Sequence, residues 1–300
     1  MKQTLSIAPQ EGFSMMELLV SILILLPIMG AAVGVFSDAA HQHAAEQSSI
    51  DANQEARTAL EMMTTEIGQA GSHGDVYTTL TSAVGSSTVA QAAAVASAAG
   101  LTAGDFVTVD TGANQETVEV TAVGTGSFSG IFRVSHASGT PIRLFALPYT
   151  TGVVTPSGMG ADASTPVTTL RFYGDINSDS SVQYVEYIYD SEGGQITRSI
   201  TPVTQSTLNA AFPLVRNIRP NSARFILNTD EREVVTSVRV EMTVQNGVES
   251  GGKLEETTLS SRILIPSMRA ASALLFENQL HGGFNRLPAT PPQVTQWINQ

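Results

Sequence analysis

Residues 13–36 read FSMMELLVSILILLPIMGAAVGVF, 24 residues in which Glu17 is the single charge. A bilayer span needs about 20 apolar residues, so this run is long enough to cross a membrane. It is too long for the core of a secretory signal peptide, and no Ala-x-Ala cleavage site follows it. A plain anchor gains nothing from Glu17, because a carboxylate in hydrocarbon costs roughly 2.5–3.5 kcal/mol on insertion scales. The residue therefore calls for a partner charge.

One residue further out, Gly12-Phe13-Ser14-Met15-Met16-Glu17 resembles the prepilin cleavage motif, with Glu as the fifth residue of the mature chain. The resemblance implies a cut between Gly12 and Phe13 by a prepilin peptidase, then N-methylation of Phe13. It also implies that Glu17 of one subunit neutralises the Phe13 amine of its neighbour in a filament. The 1–12 leader, MKQTLSIAPQEG, departs from the family pattern: Lys2 is its one basic residue, and Glu11 stands beside the cut. A short leader is still easily retained in the cytoplasm, and Asp38, Glu46 and Asp51 suit the outer side. Pro27 is a second departure, earlier in the span than is usual. Proline removes a backbone hydrogen bond. Leu26 to Gly34 is then either the stretch that bends on assembly or a kink tolerated in lipid.

The helical pattern continues past the 13–36 transmembrane segment. Ala52, Ala56, Leu60, Met63 and Ile67 recur on one helical face. No Pro or Gly interrupts 37–67, and Gly68 or Gly71 is the expected stop. A helix over 13–70 is about 87 Å long. Its second half is amphipathic and needs a sheet to cover it. Arg57 to Gly71, RTALEMMTTEIGQAG, is similar to the end of this helix in PilW-like minor pilins. His41 and His43, two apart, face different sides and make no metal pair.

Residues 71–99 turn rich in Ser, Thr, Ala and Gly and read as a low-complexity loop. Residues 100–150 alternate in short runs (105–110, 116–123, 131–135 and 142–145), which predicts an inserted β module. It is loosely similar to Gly-rich modules of bacterial surface and phage-tail proteins, and it reads either as structural decoration or as a ligand or surface contact. Residues 166–270 predict an antiparallel β head, with strands at 167–173, 182–189, 195–200, 212–218, 223–227, 234–244 and 254–265. Their order resembles PilW and the J-type pseudopilins of type II secretion: a D-rich turn, a Y-x-Y strand, an L-V-x-N-I strand, then V-x-V-x-M-T-V. Residues 271–300 read as an extended tail, with Trp297 placed to dock it. The fold class expected is α+β, a long N-terminal transmembrane and amphipathic helix packed on an antiparallel head.

The chain carries a net charge of −12 and two lysines, Lys2 and Lys253, so it lacks an electrostatic footprint for nucleic acid. Without cysteine it has no disulfide and no thiolate site. One constellation invites a metal. Asp175, Asn177, Asp179, Ser181 and Glu186 fall at calcium-loop spacing. Against it, Ser180 stands where Gly is preferred and the flanks read as strands, so the alternative is an Asx-rich turn. No other cofactor is expected. No nucleophile elbow occurs, since Gly126-Ser-Phe-Ser-Gly130 has Phe at the nucleophile position. The expected role is structural, not enzymatic: a minor pilin of a type IV pilus serving assembly or adhesion. Its expected partners are other pilins, the prepilin peptidase, the inner-membrane assembly platform and, before assembly, the bilayer. The expected location is the inner membrane, single-pass with a periplasmic head, then the pilus surface. The alternatives are a type II secretion pseudopilin and an anchored periplasmic binding protein that never polymerises.

Overall fold

A computed structural model describes residues 12, 14–144, 147–245, 255–281 and 287–298. Residues 1–11 of the leader and Phe13 lie outside these. The architecture is α+β: a long N-terminal helix, α1 (Met15–Gly68), followed by antiparallel sheets. The chain divides into two compact units, 1–51 with 246–255, and 52–245 with 256–300.

In the first unit α1 is helical through Pro27, and its large apolar side chains from Met15 to Phe36 are exposed. In the second unit, Ala56, Ala59, Met63, Ile67 and Ala70 enter a core with both large sheets. Ala59 takes the fully buried place expected of Leu60, which packs at the border. The helix stops at Gly68, and three residues later Gly71 has φ +71°. That left-handed conformation is what calls for glycine here, and the Met268 side chain packs over the space a Cβ would take.

The head has two four-stranded sheets. In one, β9 (Thr169–Gly174), β10 (Gln183–Asp190), β11 (Gln195–Pro202) and β12 (Phe212–Val215) lie in the order β12-β11-β10-β9. In the other, β8 (Ser164–Val167), β13 (Arg224–Thr229), β14 (Val235–Gln245) and β15 (Glu256–Leu264) lie in the order β15-β14-β13-β8. Aromatic rings join the sheets under α1: Phe172 stacks on Tyr187 at 5.9 Å, and Tyr187 meets Phe225 at 6.3 Å. The run 167–173, expected as one strand, splits at Thr168 and serves both sheets. Pro166 fits because β8 is an edge strand.

The inserted module has its own core, including Val107, Val109, Val118, Phe128, Phe132 and Ile142. Its strands span 76–144, so the expected boundary at 100 moves. The 71–99 stretch is not simply a loop. It supplies β1 (Val76–Thr79) and β2 (Gln91–Ala94). These pair with strands late in the module, β7 (Pro141–Leu144) and β6 (Ser127–Gly130). Alanine-rich β2 forms a strand because Ala93 sits opposite Phe128, whose ring supplies the volume the alanines lack. The module is completed by β3 (Phe106–Val109), β4 (Glu116–Glu119) and β5 (Ala122–Gly124). The strand expected at 131–135 is absent. The Arg133 and Val134 amides donate to the Glu116 carboxylate instead of to a ladder.

The expected extended tail is also corrected. It contains α2 (Pro266–His281) and α3 (Pro292–Ile298). Each begins on proline, whose missing N–H costs nothing at a first helical position. Trp297 is buried against Tyr184, ring centres 5.4 Å apart, in a cluster with Tyr149, Tyr173 and Val294.

The contrast between Met62, exposed, and Met63, fully buried, tests the face of α1. Met63→Ala is expected to lower unfolding free energy by about 2–5 kcal/mol. Met62→Ala should stay within about 0.5 kcal/mol in the same denaturation measurement.

Candidate functional site

Gly12 is exposed, and a Cβ added there meets nothing within 4 Å. Ser14 and Glu17 cap the start of α1 reciprocally. The Ser14 Oγ accepts the Met16 N–H at 3.3 Å, and Glu17 Oε2 accepts the Ser14 N–H at 3.2 Å. The sequence reading missed this local use of Glu17, although the S-x-x-E spacing signals it. Among the described residues α1 is the one helix long and apolar enough to cross a membrane, a property that anchors and signal sequences share. Phe13, the expected methylation site, falls outside the described residues.

Of the five residues at calcium-loop spacing, Asp175, Asn177, Asp179 and Ser181 share one turn, and Glu186 stands apart. Asp175 is buried, and its two carboxylate oxygens accept the Asp179 and Ser180 amides at 3.0 Å each. Asp179 accepts the Ser181 amide at 2.9 Å. Asn177 lies in the same turn, with Ser178 and Ser180 in left-handed conformation at φ +56° and +65°. Glu186 is elsewhere, in the middle of β10 opposite Arg171 of β9, with which it forms an ion pair at 2.6 Å. Among the described residues no group of three or more His, Asp or Glu could hold a metal ion. Asx-type hydrogen bonds to its own backbone account for the Asp175 and Asp179 contacts in this loop. Its work is to buttress the module: the Ser180 hydroxyl donates to the Asp75 carbonyl at 3.0 Å, and a Cβ on Gly100 would fall 2.5 Å from the Ser180 carbonyl oxygen.

Three buried polar clusters escaped the sequence reading. In the head, Glu66 of α1 accepts hydrogen bonds from the Tyr187 hydroxyl and from Arg198, whose Nε is 3.1 Å away. Burial and the neighbouring Glu66 carboxylate push the Tyr187 phenol far above its usual range. In the module, His136 is wholly buried, with Nδ1 at 3.1 Å from Asp110 and Nε2 at 2.7 Å from Glu116. Burial pushes the Glu116 carboxyl up, but His136 and the two amides outweigh it and hold it below the usual range. Asp110 is also held low, first by the Thr111 amide and then by His136. The third cluster surrounds His73. None has a sequence signature, because each joins residues far apart in the chain. The module also carries an open hollow lined by Phe106, Glu116, Thr117, Glu119, Thr121, Ile131 and Arg133.

Comparison with protein-family models, with curated proteins and with solved structures returned no match.

Two measurements test these assignments. Millimolar calcium is expected to leave the melting temperature unchanged. Asp175→Ala should cost about 1–2 kcal/mol with or without calcium, the scale of a lost side-chain cap. A double-mutant cycle of Glu66→Gln with Arg198→Met should return a coupling of about 1–3 kcal/mol, as residues in one network do.

Proposed function

We propose that this chain is a minor-pilin-like structural subunit of a type IV pilus, made as a prepilin and cut between Gly12 and Phe13. The observation that carries the reading is the pairing of that junction with α1. An exposed glycine precedes a helix whose first 22 residues expose their apolar side chains. Such a surface demands lipid or other helices. Glu17 then has two successive partners. In the uncut chain its carboxylate caps α1 through the Ser14 amide. After cleavage, the new Phe13 amine of a neighbouring subunit offers a full positive charge. That exchange offsets the cost of a carboxylate in an apolar filament core. The second unit is the periplasmic and later surface-exposed head, and its module is available for adhesion. The role is structural and not catalytic.

Gly12→Val is expected to block processing, read as retention of the twelve-residue leader by mass spectrometry. Glu17→Gln keeps an acceptor for the Ser14 cap but removes the charge. It should be processed normally yet fall several-fold in sheared pili relative to wild type. Normal cleavage of the first variant and an unchanged filament fraction of the second would sink the reading.

A further inference from the structure

The chain crosses between head and module twice, at 72–75 and again at 147–149, and His73 sits in the first crossing. Its side chain and that of Asp105 are buried, at 1% and 0% exposure. The His73 Nδ1 lies 2.9 Å from the Gly74 carbonyl oxygen, and its Nε2 lies 3.2 Å from Asp105 Oδ1. The second contact is close but too poorly aligned to count as a hydrogen bond. The other Asp105 oxygen accepts the Thr102 amide at 2.6 Å, and the Thr102 hydroxyl is 3.3 Å from the Tyr149 hydroxyl. The Tyr149 ring packs on His73 at 5.1 Å, so the second crossing is tied to the first.

Every charged group that acts on His73 is a carboxylate. Asp105 faces it from the start of β3, and Asp175 adds its field from the head loop. Asp179, in that same loop, is occupied by Ser181. Tyr149 is neutral, its phenol pushed well up by burial and by Asp105, and Tyr173, edge-on to it at 5.3 Å, is pushed up by burial. A neutral imidazole has one N–H. Whichever nitrogen keeps the proton, the other leaves a lone pair close to an oxygen, the Gly74 carbonyl at 2.9 Å or the Asp105 carboxylate at 3.2 Å. Only the imidazolium suits both neighbours.

We propose that His73 is a pH-sensitive clamp: as an imidazolium it bridges Gly74 and Asp105 and pins the 76–144 module to the head, and on losing its proton it releases the module's neck. Burial opposes the charge on His73, but Asp105, the Gly74 carbonyl and Asp175 outweigh burial and raise its pKa above the ordinary 6.5. A folded value above the unfolded one sets the direction. The clamp's contribution is complete below the unfolded value and is lost as pH rises through the folded one. The module is therefore held firmly in mildly acidic surroundings and loosely in alkaline ones, whether or not the chain enters a filament.

The test uses the full-length protein in detergent micelles, with amide hydrogen exchange at about pH 6 and about pH 9, corrected for intrinsic rates. Protection of 72–76 and 101–106 should fall several-fold at the higher pH, the direction that a raised folded-state pKa dictates. β10 and β14 should keep theirs. His73→Gln and Asp105→Asn should lose this dependence, and His136→Gln should retain it. Equal neck protection at both pH values in the wild type, or an undiminished fall in His73→Gln, overturns the clamp. Where the variants fail to fold, an NMR titration of the wild-type histidine ring decides: a His73 already neutral at about pH 6 overturns it, and a charged one supports it.

Discussion

Apolar surface on α1 has to be covered, and the fold is shaped by how that requirement changes along the helix. Beyond residue 51 two sheets meet it, and the face from Ala56 to Ala70 is buried under aromatic and β-branched residues. Before residue 37 nothing in the described chain meets it. A helix that is amphipathic in one part and apolar all round in another is adapted to two solvents. The head's strand order, the placement of Phe172, Tyr187 and Phe225, and the glycine turn at 71 all serve the amphipathic part. Among the described residues nothing covers the apolar part.

The same helix carries Glu66 into the head core, where an apolar residue would pack with less risk. A buried carboxylate is tolerable only with its partners in place. Tyr187 and Arg198 supply them from adjacent strands, so α1 has one favoured rotation and one favoured height on the sheet. This arrangement trades some stability for a defined register. On the same helix Ala59 is fully buried while Leu60 packs at the border of the core.

What was legible in the sequence was whatever repeats locally. The apolar run, the helical face ending near Gly68, and the hairpin across Gly193-Gly194 are all written at short range. Pairings between distant segments were not. β1 and β2 looked like loop because Ser, Thr and Ala carry little pattern, and their partners lie over thirty residues away. The 131–135 run alternated like a strand, yet one distant carboxylate, Glu116, claimed its amides. The Asp175 loop matched a metal spacing because short acidic turns and metal loops draw on the same residues. What separates them is whether the oxygens point together or back at their own backbone, and that is a three-dimensional property. The capping of α1 by Glu17 was legible and passed over, since its membrane cost dominated the reading.

The entry and exit of the module lie side by side. The Tyr149 amide donates to the Gly71 carbonyl at 3.0 Å, and Gly152 packs so closely on Gly71 that a Cβ there would fall 2.3 Å from its nitrogen. A gap that one hydrogen bond spans is a gap that a tight turn can close. In evolutionary terms the module is a cassette. Its strands pair only with one another, so the two head sheets keep their strand pairings without it.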